Sequence, residues 1–247
     1  MATSLEAVDL VVTRSGKRVL DGISLQIGEG VTALLGPNGS GKSTLLQTWA
    51  TILFPASGSI SMLGYDLSHR RDAEKARRRF AYLPQEPNSL NRFTVREACQ
   101  YVSWLKRVPR ARRKPAVDDA LEKLGLSDVA GQKLSRLSGG TRRRAYFAQA
   151  LAHDPAVLLL DEPTAGLDAK HRDDVLDSVR RIAEGRLVLL STHLTSDLTD
   201  SVSRVVTLSA GRLAFDGSAG DLAELGRAAP ASRVSEMDAG LRNLGAL

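Results

Sequence analysis

Cysteine is nearly absent from this sequence: Cys99 is alone among 247 residues. A single thiol excludes any intramolecular disulfide, so the fold rests on its core and fits a reducing compartment. Aromatic residues are scarce as well, at 4%, in a composition of 43% hydrophobic and 25% charged residues that is otherwise ordinary for a globular protein. Long apolar runs are missing. Val157 to Leu160 is typical of what there is, far short of the roughly 20 residues that cross a bilayer. The first ten residues carry Glu6 and Asp9 in place of a basic then apolar leader, so they do not read as an export signal. No internal repeat is evident. What remains is a chain of one-domain size with room for a subdomain. It carries 34 Lys and Arg against 28 Asp and Glu. The resulting charge of +6 suits phosphate ligands, nucleic acid or an anionic membrane face without choosing among them.

Apolar periodicity organises the chain as α/β. Ile23, Leu25 and Ile27 alternate, and Val31 to Leu35 reads as a buried strand, with a helix beginning near Lys42. Further strands are expected at Phe80 to Leu83, Val157 to Leu160, Leu187 to Leu190 and Val205 to Leu208. Such an order implies a largely parallel sheet. Between about Glu86 and Ala152 the strands vanish and the pattern turns helical, with Thr94 and Glu97 forming a capping box ahead of a run through Leu105. The segment reads as an inserted helical subdomain. Three basic runs, Arg77 to Arg79, Arg110 to Lys114 and Arg142 to Arg144, read as solvated helix faces. The tail from Arg227 has no sustained period.

Gly36-Pro37-Asn38-Gly39-Ser40-Gly41-Lys42-Ser43-Thr44 follows a predicted strand and opens a predicted helix, the context that a phosphate-binding loop requires. Its glycines let consecutive N–H groups turn inward toward phosphate oxygens, and the helix N-terminus adds its positive end. Pro37 cannot donate, so the cradle begins after it. Lys42 would reach the β- and γ-phosphates, and the Ser43 hydroxyl would complete Mg²⁺ coordination. Downstream, Val157 to Leu160 ends in Asp161-Glu162, at the strand edge where α/β folds bind ligands. Alone, that pair is as well explained by a helix N-cap. With the loop upstream it resembles a Walker B element, in which Asp161 holds Mg²⁺ through water and Glu162 orients or deprotonates the attacking water.

Leu137-Ser138-Gly139-Gly140, after the helical stretch and before Asp161, resembles the signature motif of the ATP-binding-cassette (ABC) ATPases. Ser138, Gly139 and Gly140 would open a helix running to Ala152 and form a second anion site. The resemblance implies that two cassettes pack head to tail, each signature covering the partner's γ-phosphate. Three smaller elements match in order. Gln85, in Tyr82-Leu83-Pro84-Gln85, is similar to the Q-loop glutamine that reaches Mg²⁺ and the attacking water. Ala165 to Asp168 is similar to the D-loop, and His193, after Leu187 to Ser191, to the switch histidine that bonds the γ-phosphate. His69, His153 and His171 read as lying in polar connectors or helix starts. Catalysis by Glu162, His193 and Gln85 is therefore expected, with a metal site of Ser43, Gln85 and Asp161.

The resemblance spans about Leu5 to Leu225 and implies a P-loop NTPase (RecA-like) parallel-sheet core, with an antiparallel β part and an inserted helical subdomain. The expected domain is 1–226, with core 1–85 and 153–226, helical subdomain about 86–152, and tail 227–247. Two departures stand out. Ser15 occupies the place where relatives put an adenine-stacking aromatic, and Thr141 the place of a polar amide or methionine after the signature. In style the chain is closest to the ATPases of ABC-2-type drug or antibiotic exporters, with ATP and Mg²⁺ as ligands. Lacking a membrane span of its own, it would power separate permease subunits from the cytoplasmic face of the membrane, paired with a second ATPase subunit, a copy of itself or a different cassette. An importer ATPase, or an ABC ATPase acting on nucleic acid or ribosomes, are the alternatives. The latter usually carry two cassettes or long coiled-coil insertions, so nucleic acid is the less favoured partner. A small-molecule kinase would leave the signature and His193 unexplained.

Overall fold

The computed structural model describes residues 3–87, 90–225 and 233–244. The chain opens with β1 (Leu5–Arg14) and β2 (Lys17–Ile27), antiparallel and joined at Ser15 and Gly16. Both turn residues have positive φ, as a tight two-residue hairpin requires. After β3 (Gly30–Leu35) and α1 (Lys42–Trp49) come β4 (Ser57–Met62), β5 (Tyr65–Asp66), α2 (Arg70–Arg77) and β6 (Phe80–Leu83). A helical stretch follows, with α3 (Val95–Leu105), α4 (Arg110–Lys123) and α5 (Gly139–Leu151). The chain then returns to β7 (Val157–Asp161), α6 (Ala169–Ile182), β8 (Leu187–Thr192), β9 (Val202–Ser209), β10 (Arg212–Gly217), α7 (Ala219–Leu225) and α8 (Arg233–Asn243).

Two sheets result. The antiparallel one runs β2-β1-β4-β5; the other runs β10-β9-β3-β8-β7-β6 and is parallel except for β10. Parallel pairing sets Leu35 beside Thr192 and Asp161 beside Ser191, so the carboxyl ends of β3, β7 and β8 open onto one edge. Ligands of open parallel sheets bind there.

The period of two along β7 divides the interior. Leu158 and Leu160 join Ala33, Val188 and Leu190 in a cluster with α3 to α8, so the helical insert shares its core with the sheet. Val157 and Leu159 face the other way, with Leu187 and Leu189, onto α1 and the antiparallel sheet. Cys99 lies wholly inside the first cluster, where burial pushes its thiol up to about 12 and leaves it inert. The capping box of α3 forms as its sequence implies: the Glu97 amide donates to Thr94 Oγ1, and Glu97 Oε2 accepts from the Thr94 amide.

The tail contains α8, whose Met237 and Leu241 are buried. Gly240 approaches α7 so closely that a Cβ would come within 2.3 Å of the Leu222 carbonyl oxygen. Residues 226–232 and 245–247 of the tail lie outside the described residues. His153 lies in the connector between α5 and β7, as expected, but it is buried there at 7% exposure, and its Nε2 donates to the Phe80 carbonyl at 3.1 Å.

Burial lowers His153 to about 4, with Lys106 adding a smaller push in the same direction. The unfolded chain therefore takes up a proton near pH 6.5 that the folded chain refuses until about 4. Stability rises with pH across that window and is lost as pH falls through it. His153→Gln is expected to flatten urea-unfolding stability between pH 6.5 and 4 by up to about 3 kcal/mol relative to the parent. Parallel pH profiles for the two proteins would refute this.

Candidate nucleotide site

Glycine makes the loop between β3 and α1 possible. Gly36, Gly39 and Gly41 all have positive φ, and a Cβ on Gly36 would meet the Leu208 carbonyl at 2.3 Å. A Cβ on Gly41 would meet Leu20 at 2.6 Å. Inside the turn, the Ser40 amide donates to the Pro37 carbonyl at 3.2 Å, leaving Asn38 and Gly39 at the crest. Ser43 and Thr44 lie in the first turn of α1 with Lys42. The Lys42 ammonium, 5% exposed, curls back to the carbonyls of Gly36 at 2.6 Å and Pro37 at 3.1 Å. Burial lowers its pKa, against the pull of Glu162, whose Oε1 lies 3.5 Å away.

At the end of β7, Asp161 collects hydroxyls. Its Oδ1 accepts from Ser43 at 2.9 Å and Ser191 at 2.7 Å, and its Oδ2 accepts from Tyr82 at 3.2 Å. Burial, then the Asp161 charge, drive the Tyr82 phenol well above its usual range. Glu162 has a φ of 47°, a left-handed backbone that side chains rarely adopt. That turn sends its carboxylate to Lys42 and to His193, whose Nδ1 lies 2.7 Å from Oε2. Lys42, Ser43, Asp161, Glu162 and His193 thus meet at one sheet edge.

Gln85 does not join them. Its side chain is exposed and makes no hydrogen bond among the described residues; only its carbonyl is engaged, by Arg143. Ser138, Gly139 and Gly140 lie elsewhere, at the start of α5. Ser138 caps that helix, its Oγ accepting from the Thr141 amide at 3.3 Å and donating to Thr141 Oγ1 at 2.9 Å. Ser138 and Gly139 are exposed, whereas Gly140 is covered by the His171 ring, whose Cδ2 a Cβ would meet at 2.2 Å. His171 is held by Asp168, the N-cap of α6 and last residue of the Ala165 to Asp168 segment. Ser15 sits at the exposed hairpin tip.

Two residues escaped the sequence reading. Arg143 belongs to a basic run read as solvated, yet it is buried and fans onto three carbonyls: Pro163 at 2.9 Å, Gln85 at 3.0 Å and Glu162 at 3.1 Å. Only its phase on α5, a turn of the helix from Ser138 and facing the sheet with Phe147, separates it from Arg142 and Arg144. Asp197 is fully buried, and its Oδ2 accepts from Thr164 at 2.6 Å and Thr192 at 2.5 Å. One carboxylate therefore ties the segment after Glu162 to the strand end before His193. A carboxylate four residues past His193 is the only mark it leaves in the sequence.

The residues present fit a polyphosphate with Mg²⁺. Ser40 Oγ, within the loop and 2.7 Å from where a Gly36 Cβ would stand, is buried without a hydrogen-bond partner. Among the described residues no cluster of three or more metal-ligating side chains occurs. A metal here would need Ser43, Asp161 and phosphate oxygens together, the mode Mg²⁺ favours.

Sheet order and phosphate loop define a P-loop NTPase. The family description "ABC transporter" matches residues 20–165. The chain is 36% identical over 225 residues to the daunorubicin resistance ATP-binding protein DrrA3 of Streptomyces coeruleorubidus, covering 90% of this chain and 71% of the relative. It is 39% identical over 224 residues to the hemin import ATP-binding protein HmuV of Nocardia farcinica, covering 87% and 77%. Other relatives run longer, this chain spanning 52% of one and 60% of another. The solved structure of cbiO1 from Clostridium perfringens, part of the ABC transporter complex cbiONQ, superposes with a TM-score of 0.81 at 29% identity, covering 88% of this chain and 89% of that one. The chain belongs to the ABC transporter family, as an ATP-binding, ATP-hydrolysing subunit.

Lysine cannot replace the planar fork of Arg143. Arg143→Lys is expected to cost about 2–4 kcal/mol in urea unfolding, from carbonyls left without donors, and to slow ATP turnover. Unchanged midpoint and turnover would remove Arg143 from the architecture of the site.

Proposed function

We propose that this subunit powers export of a small molecule or lipid through separate membrane permease subunits, by ATP-driven closure of two cassettes. The observation that carries this reading is a division: phosphate-gripping and water-activating groups meet at the sheet edge, while Ser138 and Gly139 stand exposed at a different helix start. An exposed serine with free helix-end amides is suited to capping a triphosphate held by another copy.

In the paired state, amides of the loop and of the first turn of α1, apart from that of Ser40, cradle the phosphates, and Lys42 exchanges its two carbonyl partners for phosphate oxygens. Ser43 and Asp161 would hold Mg²⁺, which would neutralise part of the phosphate charge. Glu162 is relieved of Lys42 as that ammonium turns to phosphate, and takes a proton from water as its oxygen attacks the γ-phosphorus. The bond to the bridging oxygen breaks and ADP leaves with that oxygen. His193 bonds both Glu162 and a γ-phosphate oxygen, so it senses whether the phosphoryl group is present. Gln85, on an exposed loop anchored by Arg143, joins only on closure.

The permease would dock in a cavity of about 640 Å³ between core and helical insert, lined by Arg77, Tyr82, Pro84, Leu105, Lys106 and Tyr146. No helix among the described residues is long and apolar enough to cross a membrane. Export is favoured by the drug-resistance relative; the hemin importer supports the opposite direction, and uptake into reconstituted vesicles separates them.

Glu162→Gln is expected to trap an ATP-bound dimer, visible as doubled mass by light scattering, with turnover reduced at least a hundredfold. Normal turnover would take the base role from Glu162. Ser138→Arg is expected to leave ATP affinity of the monomer within about twofold while abolishing the dimer and turnover, because the added charge and bulk fill the cap. Hydrolysis surviving that change would overturn the shared-site reading.

A further inference from the structure

Apolar side chains that stand in water on one face call for an explanation. On α3, residues three and four apart share a face. Val102, Leu105 and Lys106 line the groove assigned above to a permease, while Glu97, Gln100, Tyr101 and Trp104 line a separate depression of about 520 Å³ on the adjoining face. Trp104 is 57% exposed, Tyr101 40% and Phe93 36%. The three rings form a ladder, with centroids 5.9 Å and 6.0 Å apart.

The rim of this ladder is cationic. Arg110 and Lys114 are exposed and line the depression together with Arg113. Arg112 lies on the same first turn of α4, which contains no acidic residue and has Pro109 as an N-cap without a side-chain bond. Among the described residues none of these four cations forms an ion pair. Glu97, the carboxylate in the depression, is committed to the Thr94 amide. Four cations at the positive end of a helix dipole weaken the helix unless anions lie outside it.

We propose that the Phe93–Tyr101–Trp104 face, with Arg110 and Lys114 at its rim, seats on an anionic lipid surface. Tyr and Trp favour the headgroup region, where a ring can be half-buried and its polar tip wet, and surface cations gain from an anionic leaflet. Single-stranded nucleic acid also uses rings and cations, but it stacks bases on free ring faces. Here the rings lean on one another at 46° and 32° with centroids about 6 Å apart, too close for a base to enter between them. Continuity along α3 puts this face beside the groove assigned above to a permease. In that respect the inference rests on the membrane reading above. It adds a direct lipid contact that the permease does not mediate.

The test uses the full chain without nucleotide or permease, so its failure leaves ATP-driven pairing untouched. Flotation compares vesicles of one part phosphatidylglycerol to two parts phosphatidylcholine with phosphatidylcholine alone. Binding is expected only to the anionic vesicles, weakening with salt. Trp49 is fully buried and Trp104 exposed, so a blue shift of tryptophan emission on binding reports Trp104, and Trp104→Phe should abolish the shift while retaining binding. Arg110→Glu/Lys114→Glu is expected to weaken binding at least tenfold. The charge-matched Arg180→Glu/Arg181→Glu, on exposed residues at the far end of α6, should leave it within twofold, both variants being checked by urea unfolding. The proposal falls if the anionic vesicles are not bound. It falls also if both charge reversals weaken binding alike, if emission stays unshifted, if single-stranded DNA is preferred at equal ionic strength, or if membrane retention requires the permease.

Discussion

A single buried ammonium faces two buried carboxylates at the end of β7, and the geometry around it follows from that imbalance. Removing Lys42 from water is costly, and its pKa is lowered accordingly, so it must be surrounded by acceptors: two loop carbonyls and Glu162. Asp161 acts on the same cation only at longer range and is held by three hydroxyls, from Ser43, Ser191 and Tyr82. The glycines at 36, 39 and 41 let the loop bring its carbonyls round to the ammonium. Strand register does the rest, since the pairing of β7 with β8 sets Asp161 beside Ser191 and brings His193 within reach of Glu162.

Much of this was legible in the sequence because it is local. The apolar run of β7 followed by Asp161-Glu162, the glycine spacing ahead of Lys42, and the Thr94–Glu97 cap each fit within a dozen residues and have one reasonable physical solution. The strands that escaped are irregular. β1 carries register shifts between Ala7 and Leu10 and again near Val12, with Asp9 at positive φ, so its alternation slips out of phase. α2 buries only Ala73 and Ala76, and α8 shows only Met237 and Leu241 as buried apolar anchors, stripes too sparse to stand out from a polar connector.

At the site, the unread residues are those whose partners are distant in the chain. Arg143 is indistinguishable from Arg142 and Arg144 by composition, and only the rotation of α5 against the sheet selects it for burial. Asp197 becomes significant only once Thr164 and Thr192 converge on it. Gln85 is the opposite case. A motif named it, but its side chain makes no hydrogen bond among the described residues, and the loop is fixed instead through its backbone.

The guanidinium of Arg143 is flat and stiff, and it grips main-chain oxygens from both sides of the centre while riding on the helix that Ser138 begins. Through the peptide planes of residues 85, 162 and 163, this one side chain ties the helix that starts at exposed Ser138 to the backbone that carries Glu162, so the two ends of the molecule's chemistry-bearing face share a single rigid strut.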